Sequence, residues 1–367
     1  MPDAPLPPGS TIGILGGGQL GRMLAMEAAR LGLRTHIYCD EANAPAFDVA
    51  AQSTIGSYAD RDALARFAGV VEVVTCEFEN VPAETLEVAA RVAPVFPSAK
   101  SFAVAQDRLT EKDFIRALDI AVVPYAAVTS LADLRAAMRT VTLPALLKTR
   151  RFGYDGKGQV LIGNEAEAES AWAAIGRVPA VLEDLVRFER EVSVIVVRGQ
   201  GGTFKFYDPV ENVHENGILA VSRVPARISQ SSGFAARSIA GKIAEALGHV
   251  GVLAVEMFVL RDGGLLVNEI APRVHNSGQW TLDGASVWQF VQHLRALAGW
   301  PLATPVRRGR VQMINLIGDE VDDFRSWLTV PGVSVHLYGK TAVRPGRKMG
   351  HVTLVSASAP GRPAGKG

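Results

Sequence analysis

"LAVEMFVLRDGGLLVNEIAPR", residues 253–273, reads as two apolar runs joined by an Asp-Gly turn, the pattern of a β-hairpin. A two-residue turn at Asp262-Gly263 sets Glu256 directly opposite Glu269. Carboxylates facing each other across an antiparallel pair repel. At ~5 Å and an effective permittivity near ~20 the repulsion is about 3 kcal/mol. A bound divalent cation reverses the sign of that interaction, and oxygen-only ligands suit Mg²⁺, which keeps further positions for water and phosphate. The competing reading turns one carboxylate to solvent or slips the register by one residue. Alternation aims Asn268 at the opposite face unless the strand ends there.

Upstream, "PALLKT" is a strand ending near Lys148, followed by the glycine-rich "RRFGYDGKGQ" of residues 150–159. Gly153, Gly156 and Gly158 allow close backbone approach, and Arg151 and Lys157 supply charge. A Walker A loop is excluded, because Gly158 stands where Ser or Thr is needed. A plain exposed turn is the alternative, as a snorkelling surface residue is for Lys148. "VLEDLVRFEREVSV", residues 181–194, ends one strand at Glu183 and opens another near Glu191. That second strand alternates like a half-exposed antiparallel strand.

Further upstream, "TIGILGGGQLGRM" opens with the spacing of a dinucleotide fingerprint, Gly16-x-Gly18-x-x-Gly21, with Asp40 about 20 residues on. "TIGILG", "RTHIYCD", "VEVVTCEFE" and "APVFPS" read as strands alternating with three helices, hence a parallel sheet covered on both faces. "QDRLTEKDFIRALDI" is helical. Past Pro301 come three short strands, "RVQMINLIG", "VSVHLYGK" and "GHVTLVS".

The chain has 367 residues, 48% hydrophobic and 20% charged, with a net charge of +1. That balance is globular, and no global field favours nucleic acid or an anionic membrane. Two cysteines, Cys39 and Cys76, make no disulfide framework, so they read as reduced and the compartment as cytoplasm. "MPDAPLPPGS" lacks the apolar core of a signal peptide, and no apolar run is long enough to span a membrane. The division expected is 1–105, 106–300 and 301–356, with 357–367 a disordered tail.

Together these motifs resemble an ATP-grasp enzyme over nearly the whole chain. "GGGQLGRM", "CEFENVP", "GYDGKGQ", "NEIAPRVHNSGQWT" and "RPGRKMGH" are very similar to the 5-(carboxyamino)imidazole ribonucleotide synthase family of bacterial purine biosynthesis. The fold implied is mixed α/β and α+β: an N-terminal Rossmann-like βαβ domain, a central ATP-grasp domain with a glycine-rich lid, and a small C-terminal β-rich domain. The activity implied is carboxylation of 5-aminoimidazole ribonucleotide with ATP and bicarbonate through carboxyphosphate. The rivals are a formate-dependent glycinamide ribonucleotide transformylase, an NAD-dependent dehydrogenase and a binding protein with a degenerate ATP site.

The resemblance also implies roles. Glu256 and Glu269 hold one or two Mg²⁺. Arg108 and Lys148 neutralise phosphates, Glu183 and the backbone around Val186 read adenine, and Glu191 takes the ATP ribose. His214 and Asn268 join the ATP set. Arg273 meets bicarbonate or carboxyphosphate, with His275, Asn276 and Ser277 beside it. Gln19, Leu20 and Glu77 contact the ribonucleotide in place of NAD, leaving Asp40 a strand-end residue. Tyr154, Asp155 and Lys157 close the lid on it. Asp155 accepts from the amine, and Lys157 stands where the family often has Arg. Lys340, Arg347 and Lys348 seat its 5′-phosphate, with a solvated basic surface as the alternative. The family suggests a homodimer.

Overall fold

The computed structural model describes residues 4–153 and 157–356; Tyr154, Asp155 and the expected tail at 357–367 lie outside it. The first unit alternates β1 (Thr11–Leu15), α1 (Gln19–Arg30), β2 (Arg34–Cys39), β3 (Gln52–Ile55), α2 (Arg61–Ala68), β4 (Val73–Cys76) and α3 (Ala83–Ala90). Its strands are parallel in the order β3-β2-β1-β4. The expected strand "APVFPS" forms only an isolated bridge from Val95 to Val74, while the polar β3 takes the opposite edge. Asp40 stands exposed just past β2.

Two helices lead out of this unit, α4 (Ala99–Ala105) and α5 (Arg108–Arg116). Asp107 caps α5, accepting from the Leu109 and Thr110 amides at 3.1 and 3.2 Å. A small lobe follows: β5 (Tyr125–Val128), α6 (Leu131–Ala137), β6 (Ala145–Thr149), β7 (Gln159–Ile162), α7 (Ala168–Ala174) and β8 (Ala180–Asp184). Its antiparallel sheet runs β5-β8-β6-β7.

The large sheet has nine strands. They are β9 (Arg190–Arg198), β10 (Phe204–Phe206), β11 (Val210–Glu215), β12 (Ile218–Val224), β13 (Gly251–Val259), β14 (Leu265–Ala271), β15 (Arg310–Ile317), β16 (Val333–Leu337) and β17 (Lys348–Ser356). Four helices accompany it: α8 (Gln230–Ala246), α9 (Thr281–Gly284), α10 (Gln289–Leu297) and α11 (Phe324–Leu328). The order is β14-β13-β9-β11-β12-β15-β17-β16, with β10 pairing the far end of β9 on the same edge as β11. The C-terminal strands therefore continue the central sheet through the β12–β15 pairing rather than forming a sheet of their own.

Strand β9 corrects the half-exposed reading, because it is buried on both faces. Val192, Val194 and Val196 pack towards Ala236, Ala240 and Ile243 of α8. Ile195 and Val197 face the other core, shared with Phe290 and Leu294 of α10 and with Leu20 and Leu24 of α1. That shared core fixes the first unit against the large sheet. Burial of each such side chain contributes about 1.5–3 kcal/mol.

Candidate active site

The hairpin places its two carboxylates opposite each other by a route the sequence did not suggest. The turn has three residues, Arg261 to Gly263, closed by Gly263 N–H to Leu260 O at 2.9 Å and Leu260 N–H to Gly264 O at 2.8 Å. Gly263 takes a φ of +84°, which suits glycine. Next to the turn Val259 pairs with Leu265, and Met257 with Val267. A bulge then intervenes, and Glu256 pairs with Glu269. The extra residue is Asn268, and a bulge re-aims the side chains at its site. Simple alternation, which sends Asn268 to the far face, therefore does not apply. Its Oδ1 is buried with no hydrogen-bond partner.

The environments of the two carboxylates differ. Burial and the neighbouring Glu269 push the Glu256 carboxyl up. Burial opposes ionisation of Glu269 too, but Arg108 and Lys148 outweigh it and hold its pKa below the ordinary value. Arg108 Nη1 lies 3.2 Å from Glu269 Oε2, and its Nη2 donates to Gly153 O at 3.3 Å, which ties the lid to the hairpin. His275 Nε2 lies 3.3 Å from Glu256 Oε1.

Two paired carboxylates and an orphaned amide oxygen are all-oxygen donors, and they fit Mg²⁺. Among the described residues no group of three or more His, Cys, Asp or Glu side chains forms a metal cage. A site sharing its cation with phosphate oxygens needs none.

Beside this pair lies a buried ion triad. Glu183 accepts from Lys148 Nζ at 2.9 Å and faces Lys112 Nζ at 3.2 Å, and both Glu183 and Lys112 are fully buried. Burial opposes the Glu183 charge, but Lys148 and Lys112 hold its pKa down. The side chain is thus committed to two lysines rather than turned outward, while Val186 sits half-buried in the loop after β8. Glu191 pairs with His214 Nδ1, and the two stand on adjacent strands. Burial lowers the His214 pKa, but Glu191, Glu256 and Glu269 outweigh it and raise it overall.

Arg273 Nη2 meets Glu79 Oε2 at 2.5 Å, and its Nη1 donates to Val274 O at 3.1 Å. Glu79 comes from the loop after β4, so this ion pair joins the first unit to the hairpin strand. Lys348 acts electrostatically on both Glu256 and His275. Lys340 Nζ donates to Lys348 O at 2.7 Å and acts on Glu77, while Arg347 Nη1 donates to Ala342 O at 2.8 Å. Lys157 is exposed on the lid.

The glycine turn is filled from within. Glu77 Oε1 accepts from Gly18 N–H at 2.7 Å, at the start of α1. Burial raises the Glu77 pKa against the pull of the Gly18 amide and Arg273. A Cβ on Gly16 falls 2.7 Å from Glu77 Oε1, one on Gly17 falls 2.4 Å from Ala44 Cβ, and one on Gly21 falls 3.0 Å from Gly16 O. The glycines admit a carboxylate and a close helix–strand packing, which removes the need for a pyrophosphate. Gln19 is half-buried and Leu20 buried at the first turn of α1.

Sequence reasoning missed Glu79, Asp107, Glu111 and Lys112. Glu111 Oε1 accepts from the Ile270 amide at 2.7 Å, which fixes α5 against β14. Asp107 receives Arg150 and Arg151. The available signal was the stripe Arg108, Lys112 and Ile115 at helical spacing, which turns two cations to the side of a buried isoleucine.

Comparison with known proteins gives the family. Family models match in chain order: a ribonucleotide synthetase preATP-grasp domain over residues 10–106, an ATP-grasp domain over 113–290, and a phosphoribosylaminoimidazole carboxylase C-terminal domain over 312–361. The N5-carboxyaminoimidazole ribonucleotide synthase of Brucella melitensis is 48% identical, covering 97% of this chain and 99% of its own. The chain belongs to that family. Its members are ATP-dependent ligases built on the ATP-grasp fold. The Pseudomonas aeruginosa synthase is 44% identical over 94% of each chain. A solved synthase from Aspergillus clavatus, in complex with ADP and 5-aminoimidazole ribonucleotide, superposes with a TM-score of 0.90 at 32% identity, over 96% of this chain and 95% of that one. The Thermus thermophilus structure gives 0.89 at 46% identity, over 95% and 94%.

Proposed function

We propose that the chain uses ATP and bicarbonate to carboxylate the exocyclic amine of 5-aminoimidazole ribonucleotide, releasing ADP and phosphate. The observation that carries the reading is the carboxylate pair Glu256–Glu269 set beside Arg108 and Lys148. Bicarbonate oxygen attacks the γ-phosphorus of ATP and ADP leaves, giving carboxyphosphate. Carboxyphosphate then yields its carboxyl carbon to the amine, phosphate departs and the amine loses a proton.

The protein's part in phosphoryl transfer is positioning and charge neutralisation. Arg108 and Lys148 face the phosphates, with Lys112 holding Glu183 so that Lys148 stays in place. Adenine recognition then falls to the backbone around Glu183 and Val186, and the ATP ribose to Glu191 beside His214. Glu256, Glu269 and Asn268 Oδ1 would hold Mg²⁺, which would supply charge neutralisation to the phosphates. Arg273 meets bicarbonate with the guanidinium N–H groups that Glu79 and Val274 O leave over. Gln19, Leu20, Glu77, Lys340, Arg347 and Lys348 form the ribonucleotide side, and Lys157 of the lid serves the same substrate, as would Tyr154 and Asp155, which lie outside the described residues. Exclusion of water protects carboxyphosphate. The reading includes a cytoplasmic homodimer, whose mass sedimentation equilibrium checks.

The test is ADP release with Mg²⁺ under four conditions, with bicarbonate and ribonucleotide each present or absent. Stimulation that needs both supports the reading. Stimulation by formate with glycinamide ribonucleotide would instead support the transformylase.

A further inference from the structure

A chain of buried hydroxyls and one amide crosses the large sheet and ends on His275. Ser222 Oγ donates to Asn212 Oδ1 at 2.9 Å, and Asn212 Nδ2 donates to Ser193 Oγ at 3.0 Å. Ser193 Oγ lies 2.7 Å from Ser277 Oγ, and Ser277 Oγ lies 2.9 Å from His275 Nδ1. All four relay residues are buried, and Ser193 is the cross-strand partner of Glu256.

The direction of every bond is forced. The Ser277 backbone N–H can only donate, and it points at His275 Nδ1 at 3.3 Å. Nδ1 therefore carries a lone pair, and the ring proton sits on Nε2. The Ser277 hydroxyl meets the same lone pair, so it too donates. Its oxygen is left to accept from Ser193, whose oxygen accepts from Asn212. No proton in the chain is unassigned, and His275 Nε2–H is left facing Glu256 Oε1.

We infer that Ser222, Asn212, Ser193 and Ser277 form a relay that locks His275 in its Nε2–H tautomer and thereby orients the Glu256 carboxylate. These are positioning residues, acting on Glu256 through His275. A partner of this kind fixes the geometry of a ligand it never replaces. The value of that orientation to the reaction rests on the metal reading of Glu256 given above; the tautomer itself does not.

The test is nitrogen NMR of the full chain labelled with ¹⁵N-histidine and free of metal, with the His275 resonance identified by its loss in His275→Gln. The expected result is a protonated Nε2 and an unprotonated Nδ1. Ser277→Ala removes the closer donor, the hydroxyl at 2.9 Å, and leaves only the backbone N–H at 3.3 Å on Nδ1, so the Nδ1–H tautomer should become detectable and Mn²⁺ binding should weaken by about tenfold. Ser193→Ala should move both in the same direction. A protonated Nδ1 in the unmutated protein would overturn the relay, and so would an unchanged His275 tautomer in both serine variants. Mn²⁺ binding indifferent to Glu256→Gln would overturn the metal reading alone, since the tautomer is read without metal.

Discussion

Two parts of the molecule bury carboxylates beside backbone turns, and they resolve the charge in different ways. At the glycine turn Glu77 is answered by the fold itself, through the Gly18 amide at the start of α1. At the hairpin Glu256 and Glu269 face each other, with Arg108 on one of them and the histidine of the relay on the other. The first arrangement takes its donors from the fold, which leaves no place for a pyrophosphate. The second leaves repulsion for a cation to relieve, and the proposed chemistry is placed there for that reason.

The sharpest break of that comparison is Glu269→Gln. It should reduce turnover to below about a tenth of the unmutated rate and leave the melting temperature within a few degrees. Steady-state kinetics beside calorimetry reads both. More than a tenth of the rate remaining would detach the pair from catalysis.

The next largest effect is on stability and comes from the joint between the two regions. His293 receives the Val252 amide at 3.0 Å and reaches Thr75 of β4 at 2.9 Å. Burial lowers its pKa to about 3, and that of His249 to about 4. Both stay neutral in the folded chain while the unfolded chain titrates near 6.5. Their stabilisation is complete above 6.5 and is lost as the pH falls towards 4 and then 3. Each should remove about 2 kcal/mol by pH 5. Urea melts between pH 7 and pH 5 measure this, and a flat profile would show that neither ring stays neutral.

Gly17→Ala sharpens the structural half. Its Cβ would meet Ala44 Cβ at 2.4 Å, and overpacking of this kind costs about 1–3 kcal/mol. The expected loss appears in the denaturation midpoint. A variant as stable as the parent would mean that the turn has room, and would reopen the glycines as a seat for a pyrophosphate.

The hairpin shows how far the sequence can be read. Its two strands follow from residue types, while the facing of Glu256 and Glu269 survives only because two departures from the expected register cancel. The three-residue turn and the bulge at Asn268 shift the register in opposite senses, and no local pattern announces either. The same limit explains Lys112. A lysine on a helix reads as a solvated face, and its burial depends on Glu183 arriving from β8, some seventy residues later. The burial of β9 on both faces likewise depends on α8 and α10, which follow it in the chain. The glycine fingerprint was legible as a turn, but its occupant, Glu77, is a matter of which strand lies next to β1.

Lys340 carries the smallest predicted effect and the finest distinction. Its ammonium donates to Lys348 O and acts on Glu77, so it joins the glycine turn to the C-terminal strands. Lys340→Ala should raise KM for the ribonucleotide about five- to tenfold, an effect of about 1 kcal/mol, with KM for ATP and kcat nearly unchanged. A cation that meets a substrate phosphate equally in the ground and transition states acts on KM alone. Equal rises for both substrates would place Lys340 between the two sites instead. The glycine turn and the hairpin would then share one electrostatic field, and Glu77 would belong to the chemistry as much as Glu256 does.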